Sequence, residues 1–136
     1  MKLSGQMTAE EAAENERPSI LVVEDELLIR LLVAEGLRDA GYRVVEACSA
    51  DEALVILQTA AFDLIISDVR MPGSLDGMGL LAKIRNTSSV LPVIITSGHL
   101  QPSLAIADGA TQFISKPFTI ETVLKAVEAE LGTACE

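Results

Sequence analysis

Ile20-Leu21-Val22-Val23 runs without a polar break into Glu24-Asp25-Glu26. Four consecutive apolar residues rich in β-branching describe a strand covered on both sides, and the acids mark its end. A helical stretch follows, in which Leu28, Leu31, Leu32, Glu35 and Leu37 recur near 3.6-residue spacing, and Gly41 is a natural stop. The alternation then repeats. A second strand is expected at about Arg43 to Ala47, and Ser49 with Glu52 has the capping-box spacing that opens a helix to about Thr59. Phe62 to Ser67 reads as a third strand ending at Asp68, and Asp76 to Arg85 as a helix with Leu80, Leu81 and Ile84 on one side. Pro92 to Thr96 is expected as the fourth strand, with a short helix from Pro102 to Gly109. Gln112 to Ser115 is the fifth strand. Thr119 to Leu131 closes the series as a helix with Ile120, Val123, Leu124, Val127 and Leu131 in its buried stripe and Gly132 as its stop.

Strands joined through helices of this length must be parallel, and continuously apolar strands require helices on both faces of the sheet. The expectation is one doubly wound α/β domain over residues 18–132. It is flanked by a mobile tail at 1–17, with transient helix from Thr8 to Asn15, and a short tail at 133–136. At 136 residues there is room for one core, not two. No apolar run approaches the roughly 20 residues that span a bilayer, and the first 18 residues carry four glutamates in place of a secretory core, so a cytoplasmic location is expected. The net charge of −10 disfavours nucleic acid and anionic membranes as partners. Cys48 and Cys135 form neither a disulfide framework nor a CxxC pair.

Ligands of doubly wound domains bind beyond the carboxyl ends of the strands, so those ends matter most. Strand one ends in Glu24-Asp25-Glu26, strand three in Asp68, strand four in Thr96-Ser97-Gly98 and strand five in Lys116-Pro117. Any one of these acids alone reads as a solvated loop residue or a helix cap. Together they crowd one rim, where like charges about 4 Å apart repel by about 4 kcal/mol at an effective dielectric of 20. A hard dication relieves that repulsion, and Mg²⁺ suits a site built from one or two carboxylates and retained waters.

Val22-Val23-Glu24-Asp25-Glu26, Asp68-Val69-Arg70-Met71-Pro72, Thr96-Ser97-Gly98 and Lys116-Pro117-Phe118 occur in an order and spacing that resemble the receiver domain of bacterial two-component response regulators, over about Ser19 to Leu131. The resemblance implies a flavodoxin-like strand order of 2-1-3-4-5. It also implies a Mg²⁺-dependent phosphoacceptor, with Mn²⁺ able to substitute. By the same resemblance Asp68 matches the phosphoacceptor. Asp25, Glu24 largely through water, Asp68 and the backbone carbonyl of Arg70 match the metal ligands. Ser97, five residues beyond Pro92, matches the hydroxyl that bonds the phosphoryl group, and Lys116 the lysine that pairs with it. A cis Lys116–Pro117 bond is implied too, and Phe113 matches the aromatic switch that moves with Ser97.

The chemistry of the residues agrees: a carboxylate can attack phosphorus to give an acyl phosphate, and phosphoryl transfer needs mainly positioning and charge neutralisation. The implied partners are a histidine kinase or histidine phosphotransfer protein upstream and an unidentified protein downstream. The output is expected to be protein contact and not classical enzyme turnover, since no further domain follows Glu136. Two other readings of the architecture fit less well. A Mg²⁺-dependent aspartyl phosphatase places a second Asp two residues after the nucleophile, where this chain has Arg70; a flavin carrier needs phosphate-cradling loops and flanking aromatics that are missing after strands one and three. Two departures from the common receiver pattern stand out. The segment between Ser97 and Lys116 is about three residues short, so a brief fourth helix is expected, which puts the standard dimerisation face in question. Gly98-His99 replaces the commoner small residue plus acid. Arg70 and His99, each two residues after a matched site residue, are candidates for setting the lifetime of the phosphoryl group.

Overall fold

The five apolar runs pair side by side as parallel strands: β1 (Ser19–Val23), β2 (Arg43–Ala47), β3 (Leu64–Asp68), β4 (Val93–Ser97) and β5 (Gln112–Ser115), in the order β2-β1-β3-β4-β5. This is a computed structural model, and it describes residues 8–10 and 16–132. Most of the helix expected at Thr8 to Asn15, and the tail at 133–136, lie outside the described residues. The helices are α1 (Leu27–Asp39), α2 (Ala50–Thr59), α3 (Gly77–Thr87), α4 (Pro102–Ala107) and α5 (Ile120–Leu131).

Alternation along the strands divides the core in two. Leu21, Val23, Ile65, Val93 and Ile95 face α2, α3 and α4, meeting Ala53, Leu80, Leu81 and Ala105. Ile20, Val22, Leu64, Ile66 and Ile94 face α1 and α5, meeting Val33, Leu37, Val123 and Val127. Local signals begin the helices. Ser49 Oγ accepts the Glu52 N–H at 3.0 Å, Asp76 Oδ1 accepts the Gly79 N–H at 2.8 Å, and Thr119 caps α5 through the Thr122 N–H. The capping box is skewed: the Glu52 carboxylate takes the N–H of Cys48, not that of Ser49, at 2.7 Å. α4 is short, at six residues, with Pro102 in its first turn.

The structure completes or corrects several expectations. The spacing in α1 left its buried stripe open: Leu28, Leu31 and Leu32 are 75%, 37% and 48% exposed, whereas Leu37 is buried. The inward stripe is Arg30, Val33, Ala34 and Leu37, spaced i, i+3, i+4 and i+7, with an arginine where an apolar residue would have announced it. β3 starts at Leu64 and not at Phe62, because Asp63 is turned to the start of β1: its N–H donates to the Ser19 carbonyl at 2.8 Å and its carboxylate accepts the Ser19 N–H at 2.8 Å. β4 runs one residue later than expected. Pro92 has no N–H for the ladder, although its carbonyl accepts from Ile65.

Candidate functional site

β1 and β3 are neighbours in the sheet, but the chain leaves β1 for β2 on one side and returns to β3 on the other. A crevice therefore opens beyond their carboxyl ends. Val23 pairs with Ser67, so the next residues out, Glu24 and Asp68, stand side by side. Ser97 and Ser115 are paired in the same way, and Lys116 follows immediately. Sheet register alone thus gathers residues 92 positions apart. A cleft of about 620 Å³ lies over them, lined by Glu24, Asp25, Asp68, Arg70, Ser97, His99 and Lys116, with Ile29, Leu32, Pro117 and Phe118 as an apolar wall.

Carboxylate oxygens of Glu24, Asp25 and Asp68 all lie within 4.8 Å of one another. Glu24 and Asp68 are buried, and Asp25 is exposed. The Lys116 ammonium sits between the two buried acids, donating to Glu24 Oε1 at 2.9 Å and lying 3.2 Å from Asp68 Oδ2. The remaining oxygens are met by backbone: Glu24 Oε2 takes the Glu26 N–H at 3.1 Å and Asp68 Oδ1 the Val69 N–H at 2.8 Å. Burial pushes the Glu24 carboxyl above its ordinary value and the neighbouring Asp68 charge adds to this, against the pull of Lys116 and the Glu26 amide. For Lys116 burial acts downward, yet Glu24 and Asp68 together raise its ammonium above the ordinary lysine value. Three carboxylates against one ammonium leave two negative charges unmatched, and the donors are hard oxygens. This set fits a divalent cation such as Mg²⁺.

Ser97 lines the cleft whereas Thr96, also buried, points away from it, as neighbouring residues of a strand must. Ser97 Oγ accepts the N–H groups of His99 at 3.1 Å and Leu100 at 3.0 Å. Arg70 and His99 are exposed on the rim, and the Lys116–Pro117 bond is cis. Phe113 lies outside the cleft, half-buried and packed on the α2–α3–α4 side of the core. Gly77 was not singled out from the sequence. A Cβ there would run into the backbone carbonyl of Asp68, so glycine at the start of α3 lets that helix approach the end of β3. The signal available was a glycine directly after the Asp76 cap.

A five-stranded parallel sheet in the order 2-1-3-4-5 with its site at the β1/β3 crevice defines the flavodoxin-like class of doubly wound domains. Within that class the chain belongs to the response regulator receiver domain family, whose model matches residues 20–128. The C4-dicarboxylate transport transcriptional regulatory protein DctD of Rhizobium meliloti (strain 1021) is 37% identical over 112 residues, covering 80% of this chain and 24% of the relative. The crystal structure of the receiver domain of NtrX from Brucella abortus is 40% identical, covers 84% of this chain and 98% of that one, and superposes with a TM-score of 0.78. The chemotaxis response regulator CheY4 of Vibrio cholerae is 36% identical with a TM-score of 0.76, covering 83% of this chain and 98% of that one. The chain spans about a quarter of the length of the curated relatives it matches.

Proposed function

We propose that this receiver domain takes a phosphoryl group onto Asp68 in a Mg²⁺-dependent reaction and transmits the change by protein–protein contact. The observation that carries this reading is the Lys116 ammonium held 2.9 Å from Glu24 and 3.2 Å from Asp68, on a rim with two uncompensated negative charges. Asp25, Asp68, the Arg70 carbonyl and, through water, Glu24 are the groups that would hold Mg²⁺ or Mn²⁺. The ion, when bound, supplies charge neutralisation for the oxygens in transit. A carboxylate oxygen of Asp68 forms the bond to phosphorus as the donor's bond to phosphorus breaks, the bonding pair leaving with the donor. Lys116 then exchanges its carboxylate contacts for a phosphoryl oxygen. Ser97 Oγ already accepts two amides, which leaves its hydroxyl proton to donate to the phosphoryl group. As Ser97 moves inward, Phe113 turns from its half-buried place and the surface of α4, β5 and α5 repacks. Arg70 and His99, on the rim, govern the access of water to the acyl phosphate, Arg70 by pairing with the phosphoryl oxygens.

The donor is a histidine kinase or histidine phosphotransfer protein. The exposed Leu27, Leu28, Leu31 and Leu32 continue the apolar wall of the cleft and offer it a surface. The domain does not turn over substrate as a classical enzyme, though it supplies the groups for its own phosphorylation and dephosphorylation. Its net charge of −10 favours protein over nucleic acid or anionic membrane as partner. No helix among the described residues is long and apolar enough to cross a membrane, and a bacterial cytoplasm is the proposed location. Treating the chain with acetyl phosphate and Mg²⁺ should add about 80 Da by mass spectrometry, one phosphoryl group. Asp68→Asn should add nothing. Equal labelling of that variant would refute the assignment.

A further inference from the structure

Arg30 occupies the inward stripe of α1, its side chain only 16% exposed. Its Nη1 donates to the backbone carbonyl of Glu24 at 2.9 Å, and its Nε donates to Glu46 Oε1 at 3.2 Å. Glu46 belongs to β2, and its other oxygen accepts Nη1 of Arg38 at 3.1 Å. One carboxylate of the edge strand is thus held between two guanidinium groups of α1. One of the two reaches through to the peptide that joins Glu24 to Asp25.

That peptide matters because of what surrounds it. The Glu24 N–H donates to the Ala47 carbonyl at 3.0 Å, and both Glu24 carboxylate oxygens are taken by Lys116 and the Glu26 N–H. Arg30 completes the set by holding the carbonyl. Asp25, the next residue, is exposed, and among the described residues no hydrogen bond holds its side chain. Its aim is therefore inherited from its backbone, which begins at the peptide Arg30 grips. A planar guanidinium can bridge two acceptors at fixed angles, which a lysine ammonium on a flexible stem does not do.

We infer that Arg30, anchored by Glu46, is a positioning residue of the acidic site: it orients the Glu24–Asp25 peptide, so that divalent-cation affinity depends on it though it binds no cation itself. This rests on the proposed Mg²⁺-dependent function. Two physical accounts predict opposite signs. If Arg30 acted only through its charge, its removal would leave the site more negative and Mg²⁺ would bind more tightly. If it positions Asp25, its removal weakens binding, as loss of groups that orient metal ligands commonly does by 10–100-fold.

Mg²⁺ titrations followed by NMR chemical shifts, on the full chain, separate the two. Arg30→Met should raise the Mg²⁺ dissociation constant about tenfold. Arg30→Lys, which keeps the charge and loses the fork, should also weaken binding. Acetyl phosphate labelling of Asp68 should slow at low Mg²⁺ in both variants and recover at saturating Mg²⁺, a KM effect with little change in limiting rate. Melting in EDTA checks that each variant folds, and Arg30→Lys carries the test if Arg30→Met does not. Unchanged or tighter Mg²⁺ binding in a folded variant overturns the positioning role while leaving the site reading intact. A wild type that binds no Mg²⁺ overturns both.

Discussion

At Glu24 two demands meet in one side chain. Burial favours its neutral acid, whereas the Lys116 ammonium at 2.9 Å and the Glu26 amide favour the carboxylate. Lys116 answers the same conflict from the other side, bridging Glu24 and Asp68 with its charge reinforced by both. These three residues were legible from the sequence because each stands at the end of an apolar run, and the ends of parallel strands share a rim. Arg30 was not, since a guanidinium that binds a backbone carbonyl leaves no motif. Arg70 and His99 were legible only by offset, and both are exposed in the lining of the cleft that holds Asp68 and Ser97. Arg70→Ala should shorten the phosphoaspartate lifetime several-fold, since it removes the cation proposed to pair with phosphate; His99→Ala should also change the lifetime. Following the decay of the 80 Da adduct checks both, about one phosphoryl mass. Unchanged lifetimes in both variants would end the idea.

Among the elements, α1 shows that a helical period does not by itself choose the buried face. Leucines at 28, 31 and 32 and the stripe of Val33, Ala34 and Leu37 both satisfy helical spacing, and hydropathy favours the leucines. The sheet selects the second stripe: Val33 and Leu37 meet Ile20, Val22 and Leu64 within one core cluster. Leu37→Ala should therefore cost about 2–5 kcal/mol in chemical denaturation. Leu28→Ser should change stability by no more than about 0.5 kcal/mol. It should leave acetyl phosphate labelling unaltered while slowing transfer from a histidine kinase, if the exposed leucines receive the donor. A large loss of stability in Leu28→Ser would contradict the assignment of faces.

On the scale of the whole molecule, burying the Glu24 carboxylate draws on fold stability, and a cation bound as proposed would return it. Because the folded-state value of Glu24 lies above 4.5, its favourable contribution is complete below pH 4.5 and is lost as pH rises through the folded value. Without metal, Glu24→Gln should melt above wild type near neutral pH, and the difference should shrink toward pH 4.5. Adding Mg²⁺ should reverse the order, since a ligand at one hundred times its dissociation constant stabilises by about 2.7 kcal/mol. Circular-dichroism melts from pH 4.5 to 8 with and without Mg²⁺ test both signs; a variant that melts below wild type in EDTA at neutral pH would contradict the first. The sequence by itself determined the βα alternation, the parallel sheet, and the acids and lysine at its rim, because local periodicity and strand order suffice for these. Tertiary structure alone decided which stripe of α1 is buried, that Lys116 bridges Glu24 and Asp68, and that Arg30 holds the Glu24 carbonyl. Each of those depends on distances between residues far apart in the chain, or on a backbone atom that every residue shares, and neither leaves a mark in the order of side chains.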